Sequence, residues 1–174
     1  MSKQKAGWIG TGVMGMPMCG HLLSAGYAVS VTSRTRSKAD ALIEQGASWC
    51  ETPAEVAAQT GIVVTTVGRP EEVREVYFGE QGVFAGLQAG AIVVDMGTTP
   101  PSLTREIAVR AASLGAHAVD APVSGGDVGA RNASLSVMAG GEEGIVDSIR
   151  PLFDCMASTV AWMGEAGNGQ HTKM

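Results

Sequence analysis

Short runs of β-branched residues alternate along this chain with Ala- and Leu-rich segments whose apolar positions recur every three or four residues. That alternation is the signature of successive βαβ units, and such units build a mostly parallel sheet flanked by helices. The strands it predicts are 6–9, 28–32, 62–67, 91–95, 116–120, 135–139 and 159–162. At 174 residues the chain is near the size of one domain, with a core large enough to fold on its own.

The boundaries between strands carry specific signals. Ser37 followed by Asp40 resembles a capping box, and Gly46 stops that helix. Thr52-Pro53 with Glu55 places an N-cap, a proline at the first helical position and an acid in the first turn. Pro100-Pro101-Ser102 opens an apolar-periodic segment, 103–114, which Gly115 ends. One α/β layer structure accounts for the chain to about Ala161. Beyond it, three glycines between 164 and 169 mark a loop, and 170–174 reads as the start of another helix.

Gly10, Gly12 and Gly15 lie in "WIGTGVMGMPM", directly after the first predicted strand and before a helical pattern over 14–25 that Gly26 ends. The spacing G-x-G-x-x-G in that context suits a dinucleotide. The first glycine allows the tight turn, the second lets the backbone approach a pyrophosphate, and the third lets helix and strand pack closely. Thr11, Val13 and Met14 complete the loop, and Pro17 in the first helical turn loses no intrahelical bond.

The end of the second strand reads "VTSRTRSKAD". An NAD site places an acid about 20 residues after the glycines, to take hydrogen bonds from the ribose. Here Ser33, Arg34 and Thr35 stand there instead, with Arg36 and Lys38 close behind. Arg34 can stack on adenine or grip a ribose 2′-phosphate, with the two hydroxyls donating, so the reading is NADP over NAD. Arg36 and Lys38 taken singly also suit a solvated helix start.

Composition narrows the partners. A net charge of −5 with 17% charged residues gives no general basic field for nucleic acid or a membrane surface, so a small molecule is expected. Three widely spaced cysteines read as reduced, mostly buried thiols. The N-terminal stretch lacks the apolar core of a signal peptide, and no apolar run reaches the ~18 residues of a membrane span, so a cytoplasmic location is expected. No His, Cys and acidic set has metal-ligand spacing, and His21, His117 and His171 are read as structural, no carboxylate partner being suggested near the latter two.

Four blocks, "GWIGTGVMGMPM", "DMGTTPPS", "DAPVSGGDVGARNASLSVMAGG" and "GEAGNGQHTKM", resemble the β-hydroxyacid dehydrogenase family of 3-hydroxyisobutyrate dehydrogenases, tartronate semialdehyde reductases and glyoxylate or succinic semialdehyde reductases. They occur in the family's order and span the chain. The resemblance implies a Rossmann-type, doubly wound cofactor domain over 1–163, with 164–174 opening the interdomain helix. It implies that Lys173 is the catalytic residue, exchanging a proton with the substrate oxygen. From spacing alone Lys173 reads as a surface lysine near a chain end, although Gly169 one turn beneath it leaves room for a ligand. It further implies that Ser124, Gly125 and Gly126 hold the substrate, and that Thr98 meets the cofactor on its nicotinamide side. Thr98 also suits a cap for the helix after Pro101. Val67, Gly68, Pro70 and Val73 would line the adenosine side. The family usually has Ser or Thr where this chain has Gly97.

In the family the lysine's helix leads into an all-helical second domain, absent from these 174 residues. An end there is expected from a cut at a domain boundary or from proteolysis. The 174 residues alone are expected to bind cofactor with little or no turnover, and the intact protein to be a homo-oligomer acting on a small hydroxy acid or semialdehyde. A reading of another class, a non-catalytic dinucleotide-binding module that senses a ligand, is opposed by Lys173 and the Ser-Gly-Gly run.

Overall fold

The structure, a computed structural model, describes residues 3–174. Its strands are β1 (Ala6–Ile9), β2 (Val29–Thr32), β3 (Ser48–Trp49), β4 (Ile62–Thr65), β5 (Ile92–Asp95), β6 (His117–Asp120), β7 (Val123–Ser124), β8 (Leu135–Ala139) and β9 (Ala157–Trp162). The helices are α1 (Gly15–Ser24), α2 (Asp40–Glu44), α3 (Pro53–Gln59), α4 (Pro70–Phe78), α5 (Val83–Gly86), α6 (Pro101–Ser113), α7 (Gly126–Arg131), α8 (Glu143–Ser148), α9 (Arg150–Asp154) and α10 (Asn168–Lys173), and a 3₁₀ turn at Arg36–Ala39 precedes α2.

Six strands form a parallel sheet in the order β3-β2-β1-β4-β5-β6. Strand order reverses at β1, which pairs with β2 on one side and β4 on the other. In open α/β sheets a crevice forms at the carboxyl ends of the strands at such a reversal. The register makes that rim level: Ile9 pairs with Thr32 and Thr65, Thr65 with Asp95, and Asp95 with Asp120.

Successive side chains on a strand face opposite sides, and a sheet covered on both faces needs apolar residues at both. Trp8, Val31, Val64 and Val94 join one core, with Leu22 of α1 and Leu42 of α2. Ile9, Val63 and Val93 join the other, with Val56 of α3, Tyr77 of α4 and Ile107 of α6. Each fully buried aliphatic side chain contributes ~1.5–3 kcal/mol.

Two expectations are revised. Segments 135–139 and 159–162 are strands, but they lie in a second, three-stranded sheet ordered β7-β8-β9, with β7 antiparallel and β9 parallel to β8. The chain turns back after β6, and an isolated antiparallel bridge between Asp120 and Gly140 ties the two sheets together. The Ser37 capping box is not formed: the 3₁₀ turn starts at Arg36 and its N-cap Thr35 makes no side-chain bond. The Thr52 cap is formed, its hydroxyl accepting from Glu55 N at 3.1 Å while Glu55 reaches back to Glu51 N. Among the described residues all three cysteines are free, and no helix is long and apolar enough to cross a membrane.

Candidate functional site: a two-lobed cleft

The turn after β1 is shaped by close approach. Gly10 has φ +102°, a conformation that side chains strain to adopt, and a Cβ there would strike the Thr66 carbonyl. A Cβ on Gly15 would strike the Gly10 carbonyl and Thr66 Oγ1, so α1 starts directly against the strand ends. Thr66 Oγ1 donates to Gly10 O at 2.8 Å and locks the turn to the end of β4.

Two cavities open over this turn. A first lobe of 500 Å³ lies over the ends of β1 and β2, lined by Gly10, Thr11, Ser33, Arg34, Thr35 and Lys38, and by Glu51, Glu72, Glu75 and Val76 from the other side. A second lobe of 540 Å³ lies toward β5 and β7, lined by Val13, Met14, Gly15, Met18, Met96, Gly97, Thr98, Val123, Ser124, Gly125, Gly126 and Lys173. Gly12, Thr66, Val67 and Gly68 line both.

The cleft therefore brings together all but two of the expected residues. Pro70 opens α4 in a neighbouring groove, and Val73 is completely buried in the second core. Val76, on the next turn of α4, lines the lobe instead. Thr98 is exposed in the second lobe and does not cap α6, whose N-cap is Pro100 with no side-chain bond. The family's hydroxyl at 97 has no room here, since a Cβ on Gly97 would lie 2.6 Å from the Val67 carbonyl. His21 Nε2 bonds Ala130 O at 2.8 Å, joining α1 to α7. His117 does have a carboxylate neighbour, Glu142 at 3.8 Å, at the opposite end of β6 from the cleft.

A buried polar network beneath the second lobe was missed by sequence reasoning. Asp120 accepts from Gly167 N at 2.8 Å and Gln170 N at 2.9 Å, capping α10 at its amino end. Gln170 is wholly buried, its Nε2 donating to Gly97 O at 2.7 Å and its Oε1 accepting from Thr99 N at 3.1 Å. Asp95 accepts from Gly97 N and Thr99 Oγ1. Burial pushes the Asp95 carboxyl up to about 6, against the pull of bonds from Thr99, Gly97 and Thr65. Through these contacts α10 is seated on the strand ends, and Lys173 Nζ donates to the Val123 carbonyl beside Ser124. The only sequence signal was an aspartate closing each of two predicted strands.

Residues 5–164 match the family described as the NAD binding domain of 6-phosphogluconate dehydrogenase. The chain belongs to this family. It is 49% identical to the probable 3-hydroxyisobutyrate dehydrogenase-like 1 of Arabidopsis thaliana, over 99% of this chain and 52% of that protein. It is 38% identical to the 2-hydroxy-3-oxopropionate reductase of Escherichia coli K12, over 98% of this chain and 58% of that one. A solved structure of Psf3 in complex with NADP+ and 2-OPP superimposes with a TM-score of 0.92 at 34% identity, over 97% of this chain and 60% of that chain. The chain thus spans little more than half the length of the relatives it matches.

The lobes of this NAD-binding domain fit such a cofactor on two observations. A Cβ added to Gly12 would meet nothing within 4 Å, so the backbone at the waist of the cleft is open to a ligand. Among the described residues the buried Thr11 Oγ1 has no partner, and Thr11 lines the first lobe, so a ligand group there would satisfy it.

Proposed function

We propose that this chain is the cofactor-binding domain of an NADP(H)-dependent β-hydroxyacid dehydrogenase or reductase that interconverts a small 3-hydroxy acid and its semialdehyde. One observation carries the reading: Lys173 and the Ser124-Gly125-Gly126 turn line the same lobe, on the far side of the Gly12 waist from Ser33, Arg34 and Thr35. The NADP+ complex of the similar structure supports the choice of cofactor.

In this reading residues 1–163 hold the cofactor, and 164–174 begin the helix that carries the catalytic lysine. Gly10, Thr11, Gly12 and Gly15 receive the pyrophosphate at the amino end of α1, where free N–H groups favour negative charge. Ser33, Arg34, Thr35 and Lys38 receive the adenosine end, Val67 and Gly68 wall the waist, and Val13, Met14 and Thr98 face the nicotinamide. When bound, the nicotinamide supplies the hydride. Ser124, Gly125 and Gly126 orient the substrate, and Lys173 Nζ holds or releases a proton at the substrate oxygen and stabilises alkoxide charge there. The intact protein works in the cytoplasm as a homo-oligomer on a small-molecule substrate, with no membrane or nucleic-acid partner.

Calorimetric titration of the 174-residue chain with both reduced cofactors tests the first half: NADPH is expected to bind more tightly, and equal or tighter NADH binding overturns that preference. In the full-length protein Lys173→Ala is expected to lower kcat by roughly 10²–10⁴ with cofactor affinity kept. Wild-type rates in that variant would remove Lys173 from the chemistry.

A further inference from the structure

The charges on the wall of the first lobe are not uniformly positive. Arg34 and Lys38 come from the β2 end, whereas Glu51 comes from the segment before α3 and Glu72 and Glu75 from α4. Arg34 is also engaged: its Nη1 lies 2.8 Å from Glu72 Oε1, and the same oxygen takes Arg69 Nη2 at 3.0 Å. The two partners differ in freedom, the Arg34 side chain being 81% exposed and that of Glu72 only 26%. Glu72 sits in the first turn of α4, and its Oε1 stays bonded to Arg69, three residues before it, when Arg34 leaves. Arg34 is the group able to swing, and Glu72 the group that stays.

An exposed pair of this kind adds little to stability, so its effect falls on what binds beside it. A 2′-phosphate gains the fork-shaped bonds of Arg34 only by taking the guanidinium from Glu72. Glu72 then faces a doubly charged anion across a short wet gap, with Glu51 and Glu75 adding to the repulsion.

We propose that Glu72 is a specificity-determining residue of the cleft, one that tempers capture of the 2′-phosphorylated dinucleotide by competing for Arg34 while leaving the unphosphorylated one unaffected. The proposal rests on the first lobe taking the adenosine half of the cofactor. Natural preference for NADPH is in this view a balance between Arg34 and Glu72, set below the limit that Arg34 alone would reach.

The test is calorimetric titration of wild type, Glu72→Gln, Arg34→Ala and the double variant with NADPH and with NADH at low salt. Glu72→Gln is expected to tighten NADPH by about threefold to tenfold and to change NADH by less than about twofold. The gain is expected to vanish in the Arg34→Ala background. An equal change for both cofactors overturns the proposal, as does a gain that survives without Arg34. Weakened NADH binding also overturns it, by making Glu72 a ribose acceptor. A wild-type chain that binds neither cofactor removes the cofactor reading and this proposal together, a result distinct from tight NADPH binding that ignores Glu72.

Discussion

Asp95 shows what it costs to build a polar anchor into the end of a sheet. Its carboxyl is completely buried and titrates near 6 rather than at its ordinary value of 3.8. The folded form therefore holds its proton through a range where the unfolded chain has lost it. Stability from this group is full below the unfolded value and falls as pH rises toward the folded one, by about 3 kcal/mol across the interval. Denaturation of wild type and Asp95→Asn between pH 3.5 and 7 is expected to diverge in that sense, the variant lacking the decline. Parallel profiles would place the titration elsewhere. The glycine turn separates fold from function at the same scale. Gly15→Val meets the Gly10 carbonyl and is expected to cost 3 kcal/mol or more of stability, of the order of a severe overpacking. Gly12→Val points into open space, and is expected to leave stability within about 1 kcal/mol while weakening dinucleotide binding by tenfold or more. Chemical denaturation and titration of the two variants distinguish these outcomes.

Among the elements, α10 depends most on contacts from outside itself. Its amino end is held by Asp120, and Gln170 within it bonds Gly97 and Thr99 through its side chain. Gln170→Leu leaves Gly97 O and Thr99 N without their buried partner, and is expected to cost about 2–4 kcal/mol. Amide exchange in α10 is expected to rise far more than in β4 or β5; equal acceleration would show that the network supports the whole fold instead. The contrast between elements explains what was legible beforehand. Apolar, β-branched strands such as β4 and β5 announce themselves, and so does the Thr52-Pro53 helix start. The two-residue strands β3 and β7 carry no periodicity at all. Lys173, Ser124 and the glycines came from motifs read along the chain. The Asp95–Thr99–Gln170–Asp120 network did not, because its bonds join residues as many as 71 positions apart that only the level register of β5 and β6 brings together. The acids facing Arg34 were hidden for the same reason, since Glu72 lies 38 residues downstream on another layer.

For the molecule as a whole, the cleft is two chambers joined through Gly12, Thr66, Val67 and Gly68. That partition gives the binding reaction a tether. Adenosine 2′-monophosphate and nicotinamide riboside, neither of which carries a phosphate into the waist, are expected to occupy their own chambers at the same time, without competing, each weakly. The intact dinucleotide gains because docking one half raises the effective concentration of the other to about the millimolar range. Competition titrations check this directly, and mutual exclusion of the halves would refute it. A narrowed waist is then expected to penalise the joined ligand more than either half, so Gly12→Val acts chiefly as a cut in the linker's path.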